Sequence, residues 1–211
     1  MPSITHTPRR RNPYSVHPGV VMVQRFIATL PARTGRPLNE WLDLLRTTGP
    51  ADPRARRDWL RRTHHLDAGT ARWIAEHAPG RQPAESDPEA YLEAAPLYVE
   101  AMFSGTKARL RPLYDALLDL ALGLGEDVRV CPARDRVPFY RSRVFAQAVP
   151  VARTHLDLGL ALGTTRTPKR LLPVHGRKRD DRITHRLPIA RPEEIDSDLR
   201  AWLRIAYELD R

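Results

Sequence analysis

His155-Leu156-Asp157-Leu158-Gly159-Leu160-Ala161-Leu162 alternates strictly between leucines and other residues. Alternation with a period of two is typical of a β-strand whose leucines all lie on one face of a sheet. Four further segments are strand-like, and the last of them follows a basic loop over residues 163–182. They are Asp127–Cys131, Val137–Arg141, Val144–Val149 and Ile183–Ile189. The sequence therefore predicts a sheet of adjacent antiparallel strands.

Apolar residues three and four positions apart predict helices over the rest of the chain. Four short helices are expected over residues 18–78, two longer ones between 88 and 123, and one near the end of the chain. Pro31 and Gly35 are expected to end the first helix, and Pro96 to kink or divide the fifth. The pattern favours the α+β class, with a small helical bundle followed by an antiparallel sheet covered by helices.

Composition bounds the class of protein and its compartment. We expect a disordered basic tail over 1–17, a helical bundle over 18–80 and an α+β domain over 88–211, because 79–87 is polar and contains Pro and Gly. Hydrophobic residues make up 41% of the chain, which excludes a disordered protein. No apolar run approaches the roughly 18–20 residues that span a bilayer, and the N-terminus lacks a signal-peptide pattern. With Cys131 as the single cysteine, we predict a cytoplasmic protein with no membrane partner.

The positive charge is concentrated in one segment. Residues 129–191 contain 15 Arg or Lys and four Asp or Glu, a net +11 that exceeds the +10 of the whole chain by one. Such a segment is typical of a surface that binds nucleic acid, phosphate or an acidic partner, and equally of a solvated basic face. Arginine accounts for 32 of the 35 basic residues.

Several motifs of catalysis and cofactor binding are absent from the sequence. There is no G-x-G-x-x-G, Walker loop, G-x-S-x-G, H-E-x-x-H or C-x-x-C. We therefore predict no cofactor and no metal site, and the sequence argues against an enzyme. Residues 59–73 have the helix–turn–helix outline of some DNA-binding modules, but only Thr70, Arg72, Trp73 and Glu76 are expected to face outward from the second helix.

The candidate site lies in the basic segment, where arginines and an aromatic residue would converge across neighbouring strands. Its members are Tyr140, Arg141, Arg143, Arg153, His155, Asp157, Lys178, Arg179, Arg182 and Arg186. Arginine forks hold phosphate or carboxylate, and aromatic rings beside them suit nucleobases. His155 and Asp157 share a strand face, where they are a base and its orienting group, two metal ligands, or simply a hydrogen-bonded pair. Cys131 is expected to be a buried thiol, and His185 a core histidine with a hydrogen-bond partner.

Three functions follow from these residues. The leading hypothesis is a non-enzymatic module that binds nucleic acid or another polyanion through the basic sheet and the 163–182 loop. The second is a small-molecule or enzymatic pocket centred on Tyr140, Arg141, His155 and Asp157. The third is a scaffold whose helical bundle docks a protein partner through an apolar patch.

Two groups of motifs resemble bacterial families of unknown function. The first group, Tyr14-Ser15-Val16-His17-Pro18-Gly19, Thr34-Gly35-Arg36-Pro37, Glu40-Trp41 and the segment from Trp59-Leu60 to Trp73-Ile74, resembles domain of unknown function 4287, a helical family. The second resembles its usual C-terminal companion, domain of unknown function 5655, through Val130-Cys131-Pro132, Val144-Phe145-Ala146-Gln147, the segment 157–163 and the segment 181–186. The companion family is similar to domains attached to nucleases, which implies a nucleic-acid context. This chain has no nuclease motif, so the resemblance does not imply that activity.

Overall fold

A computed structural model describes residues 12–77, 83–151, 153–164, 169–176 and 181–210. These residues form seven α-helices and one six-stranded antiparallel sheet, which confirms the α+β class. The chain divides into two compact units. The helical unit is Pro18–Tyr91, and the sheet unit joins the chain before Pro18 to the chain after Tyr91. The helical unit is thus inserted into the sequence of the sheet unit.

The helical unit contains α1 (Pro18–Thr34), α2 (Leu38–Thr47), α3 (Pro53–Thr63), α4 (Ala68–His77) and the start of α5 (Pro88–Met102). Asp52 caps α3 by accepting the Ala55 N–H at 2.8 Å, and Asp67 caps α4 through the Thr70 N–H. The helix end predicted at Pro31 is wrong, since α1 continues to Thr34 and stops at Gly35, whose φ is +76°. The buried core of the helical unit is formed by Leu30, Trp41, Leu45, Leu60, Ala71, Ile74 and Ala75.

Of the two outcomes predicted for Pro96, a kink or a division of the helix, the division does not occur, because α5 is continuous through Pro96. A proline has no N–H, so the carbonyl oxygen of Leu92, four residues earlier, loses its partner within the helix. The side-chain amide of Asn12 donates to that oxygen at 2.9 Å. The hydrogen bond lost at Pro96 is thus replaced by a residue 80 positions away, which the sequence pattern did not indicate.

The sheet contains β1 (Arg129–Val130), β2 (Val137–Tyr140), β3 (Val144–Val149), β4 (Leu156–Leu160), β5 (Leu172–Pro173) and β6 (His185–Ile189). The strand order is β1-β2-β3-β4-β6-β5, and all neighbouring strands are antiparallel. The prediction for β3 matches its observed bounds, whereas β1, β2, β4 and β6 are shorter than predicted. Strand β5 was missed, because it lies inside the segment 163–182 that was interpreted as a loop.

The core of the sheet unit lies between the sheet and helices α6 (Arg111–Leu122) and α7 (Ser197–Glu208). The leucines of β4 are fully buried in this core, as the alternating pattern predicts. A β-bulge lies opposite the end of β2, where the register passes from Phe139–Ala146 to Tyr140–Val144. Phe145 is the extra residue, and its buried ring contacts the ring of Tyr207 edge-on at 5.6 Å between centroids.

Residues 12–17 form an extended segment that we call the strap. The prediction of a disordered tail does not hold for these residues, because the Ser15 N–H donates to the Val130 carbonyl at 2.8 Å on β1. The hydroxyl of Tyr14 lies 3.3 Å from that of Tyr114, and the His17 ring meets Tyr140 edge-on. For residues 1–11 the tail prediction lies outside the described residues.

Candidate functional site

The sheet register separates the candidate residues into two groups. Tyr140 pairs with Val144 at the start of β3, whereas Asp157 pairs with Val149 at its end. Five residues of β3 separate the two positions, which is about 15 Å along the strand. The structure therefore does not bring Tyr140 and Arg141 together with His155 and Asp157.

The first group lies at the turn between β2 and β3 and is organised by one carboxylate. The side chain of Asp210 is 0% exposed. Its Oδ2 accepts the backbone N–H of Arg143 at 2.7 Å, and its Oδ1 lies 3.4 Å from Arg143 Nε and 3.2 Å from an Arg182 guanidinium nitrogen. We call Arg143, Arg182 and Asp210 the Asp210 cluster. Two guanidinium groups share one carboxylate, so the cluster keeps a net positive charge.

Arg141 lies at the same end of the sheet and is held by a separate acid. Its Nε donates to Asp127 Oδ2 at 2.6 Å, and its guanidinium carbon lies 4.3 Å from the centroid of the Tyr207 ring. Tyr207 donates its hydroxyl to Asp127 Oδ1 at 2.6 Å. The hydrogen bond from Tyr207 and then the one from Arg141 lower the pKa of the Asp127 carboxyl below its usual value. Arg141 therefore supports α7 against the sheet.

A cleft of about 450 Å³ opens beside the Asp210 cluster. It is lined by Ala161, Leu162, Gly163, Thr164, Asp181, Arg182, Thr184 and Leu209. Thr184 closes its base, because its hydroxyl accepts the Leu162 N–H at 3.0 Å and lies 3.3 Å from the Leu160 carbonyl. Asp181 accepts the Ile183 N–H at 3.1 Å. The cleft thus combines an apolar wall with the guanidinium of Arg182.

The second group lies on the neighbouring strands β4 and β6, where Asp157 is opposite Pro188 and Arg186 is opposite Gly159. Arg186 donates to Asp157 Oδ2 at 3.1 Å, while His155 Nε2 lies 3.6 Å from Asp157 Oδ1. The longer distance exceeds a hydrogen bond, so Arg186 rather than His155 is the main partner of this carboxylate. The side chain of Asp157 is 10% exposed. The arrangement is an ion pair between two neighbouring interior strands, with His155 Nδ1 3.1 Å from the Thr154 hydroxyl.

Arg153 belongs to neither group. Arg153 is exposed, and its carbonyl accepts from Arg109 Nε at 2.6 Å. Lys178 and Arg179 lie outside the described residues.

Acids that flank the basic segment in sequence neutralise part of its charge in space. Asp127 pairs with Arg141, Asp196 pairs with Arg170, and Asp210 pairs with two arginines. The segment sum of +11 therefore overstates the charge of the folded surface. Sequence reasoning missed Asp210 and Asp127, because no pattern in the chain indicates which acid a distant arginine meets. It also missed Gly163 and Thr164 in the cleft, although a Gly directly after a strand was a usable signal of a turn.

The remaining candidates lie in ordinary structural positions. Burial raises the pKa of the Cys131 thiol to about 12, which removes it as a nucleophile at neutral pH. His185 is buried, with its Nδ1 2.9 Å from the Thr184 hydroxyl. In the helix–turn–helix segment, Thr70 is buried and Trp73 stacks on His77, so the outward face expected for DNA contact is smaller still.

Neither a membrane span nor a metal centre is found in the part of the chain that the structure describes. None of these helices is long and apolar enough to cross a bilayer. Within the same ranges, no three His, Cys, Asp or Glu side chains are grouped as metal ligands would be.

Comparison with known proteins identifies two domains in tandem. The profile of the domain of unknown function DUF4287 matches residues 22–79, and that of the domain of unknown function DUF5655 matches residues 99–210. Both resemblances drawn from the sequence are thereby confirmed. Searches of curated proteins and of solved structures give no match. Because its profile covers more than half of the chain, including the sheet and both charged groups, the protein belongs to the DUF5655 family.

Proposed function

We propose that this protein is a non-enzymatic module that binds nucleic acid or another polyanion at the end of the sheet that carries the Asp210 cluster. The observation that carries the proposal is the pair of guanidinium groups on one buried carboxylate. The side chain of Arg143 is 64% exposed, so most of its N–H donors face solvent. Asp210 Oδ1 forms an ion pair with both guanidiniums without neutralising both charges, and Asp210 Oδ2 fixes the Arg143 backbone by accepting its N–H.

Fixed arginines are suited to phosphate for two physical reasons. A guanidinium offers several N–H donors in one plane, which match the oxygens of a phosphate. Holding the side chain in place before binding reduces the conformational entropy lost on binding. Arg129 adds a further positive charge at the same end of the sheet, where its guanidinium donates to the Arg141 carbonyl at 2.8 Å.

The sequence next to the cleft strengthens the same proposal. Thr164 and Asp181 line the cleft, and the chain continues from them into residues 165–168 and 177–180. These two stretches contain Arg166, Arg177, Lys178 and Arg179 against a single acid, Asp180. In sequence, the stretches that adjoin the cleft are therefore strongly basic, as expected for a segment that binds a polyanion.

A salt-dependent titration tests the proposal. Labelled single-stranded and duplex oligonucleotides are titrated with the protein between about 50 mM and 200 mM salt. We expect the logarithm of the binding constant to fall linearly with the logarithm of the salt concentration, because each phosphate contact releases a condensed counterion. Absence of binding to either nucleic acid and to polyphosphate at the lowest salt contradicts the proposal.

Matched variants locate the surface. Arg143→Gln/Arg182→Gln is expected to weaken binding and to reduce the salt slope by about two units, one for each lost contact. Arg61→Gln/Arg62→Gln removes the same charge from exposed positions on α3 and is expected to change little. Circular dichroism of both variants checks that they are folded. Equal losses in the two variants would assign the binding to net charge alone.

A further inference from the structure

The cleft beside the Asp210 cluster is lined by backbone N–H donors as well as by a guanidinium group. The proposed binding of a long polyanion does not depend on these N–H groups. Gly163 has φ of +63° and lies in the turn that follows β4, three positions after Leu160. Within the described ranges, the backbone N–H groups of Gly163 and Thr164 donate to no acceptor. Two successive unpaired N–H groups at a left-handed turn are a common way of binding an anion.

The charges around these donors are of both signs. Arg182 lies in the wall of the cleft and is 25% exposed, so its guanidinium is partly shielded from water. Asp181 also lines the cleft and opposes an anion. Its charge acts on Arg136 as well, where it contributes to the raised pKa of that guanidinium, after the larger effect of Asp135.

The size and the wall of the cleft set the class of ligand. About 450 Å³ is within the range of small-molecule sites, and it is too small for a duplex. Leu209, which is 52% exposed, and Ala161 form an apolar wall on which a sugar or base can lie. The cleft is therefore shaped for one nucleotide-sized group.

We propose that this cleft binds a phosphate monoester, such as the phosphorylated end of a nucleic-acid strand or a mononucleotide. The N–H groups of Gly163 and Thr164, the hydroxyl of Thr164 and the guanidinium of Arg182 hold its oxygens, and Leu209 packs on the attached sugar or base. An internal phosphodiester carries a single charge and two substituents, so it fits the cleft less well. For nucleic-acid ends, this inference rests on the proposed function and specifies the terminal phosphate as the group that is recognised.

The test compares single strands of one sequence that carry either a phosphate or a hydroxyl at the 5′ end, with a 3′-phosphorylated strand as a third arm. We expect a phosphorylated end to bind about ten times more tightly. Binding of adenosine monophosphate and of adenosine is measured separately. We expect adenosine monophosphate to bind and to compete with the phosphorylated strand, and adenosine to do neither. Equal affinity of the phosphorylated and hydroxyl strands, together with no binding of the monophosphate, overturns the cleft proposal and leaves the polyanion proposal intact.

A pair of exposed leucines supplies the matched variants. Leu209→Asp places a carboxylate on the wall of the cleft, and Leu97→Asp places one on α5 at a position that is 66% exposed. Leu209→Asp is expected to abolish the preference for the phosphorylated end by charge repulsion, while Leu97→Asp preserves it. Loss of the preference in both variants contradicts the assignment to the cleft. Binding of the monophosphate without binding of any strand supports the cleft and overturns the polyanion proposal.

Discussion

A single residue, Asp210, determines where two of the positive charges of the basic segment lie. It lies next to the end of the sequence, 67 positions after Arg143, and yet its buried carboxylate sets the position of two arginines. A buried carboxylate is stable only when it is paired and hydrogen-bonded, so Arg143 and Arg182 are as important to Asp210 as it is to them. Sequence inspection found both arginines as candidates and gave no reason to connect either one with Asp210.

Cys131 provides a prediction at the same scale. Its thiol is buried, and its raised pKa of about 12 leaves about one thiol in ten thousand ionised at pH 8. We expect the native protein to react with a disulfide reagent more than about a hundred times more slowly than the protein unfolded in guanidinium chloride.

A control for this measurement is Ser104→Cys, which adds an exposed thiol at the end of α5. That variant should gain one rapidly reacting group while Cys131 stays slow. Fast reaction of the unchanged native protein would show that Cys131 is accessible and that its environment does not suppress the thiolate.

Among the elements, the strap has the largest effect relative to its length. Within its six residues, Ser15 hydrogen-bonds to β1, and Asn12 donates to the Leu92 carbonyl that Pro96 leaves without a partner. The last residue, His17, lies against Tyr140. Burial lowers the pKa of the His17 imidazole below its usual value of about 6.5, so the folded strap favours the neutral ring. The hydroxyl of Tyr140 lies 3.3 Å from His17 Nε2 and can donate to it only when that nitrogen is unprotonated.

The strap therefore makes stability depend on pH. The unfolded chain binds a proton at His17 more readily than the folded chain, so the free energy of unfolding should fall as the pH is lowered through about 6.5 and level off below the folded pKa. His17→Gln is expected to flatten this part of the curve, as measured by chemical denaturation at several pH values. Tyr140→Phe serves as a control that keeps the imidazole. An unchanged slope in His17→Gln would show that another group is responsible.

Elements with a regular pattern were predictable, and those that depend on distant partners were not. The alternation in 155–162 and the apolar run Val144–Val149 indicated strands because each side chain position follows from the pleat. Pro96 was expected to kink or divide α5, because the compensating donor on Asn12 cannot be seen in a local pattern. Strand β5 has two residues, too few to show a period, and the strap contains Pro13, which favoured interpretation as a tail.

At the scale of the whole molecule, the chain has two separate cores. Leu60 is fully buried in the core of the helical unit, and Leu160 is fully buried in that of the sheet unit. Leu60→Ala and Leu160→Ala should each lower stability by about 2–5 kcal/mol through lost apolar contacts and a residual cavity.

Hydrogen exchange read by mass spectrometry distinguishes the two cores. In Leu60→Ala, faster exchange is expected within residues 18–91, and in Leu160→Ala within the strap and residues 92–210. A uniform loss of protection along the chain in both variants would instead indicate one cooperative unit. The candidate site belongs to the sheet unit, so we expect polyanion binding to respond to Leu160→Ala and not to Leu60→Ala.

The strap also bears on how the chain is folded during synthesis. Its contacts join residues that are 80 to 123 positions apart, from Asn12 with Leu92 to His17 with Tyr140. At a translation rate of about 5–20 residues per second, the strap waits on the order of ten seconds before its partners leave the ribosome. All residues of the helical unit are made during that interval, so this unit can fold first while Tyr14 and Val16 are still exposed. The strap can therefore complete its contacts with β1 and β2 only after most of the sheet unit has been synthesised.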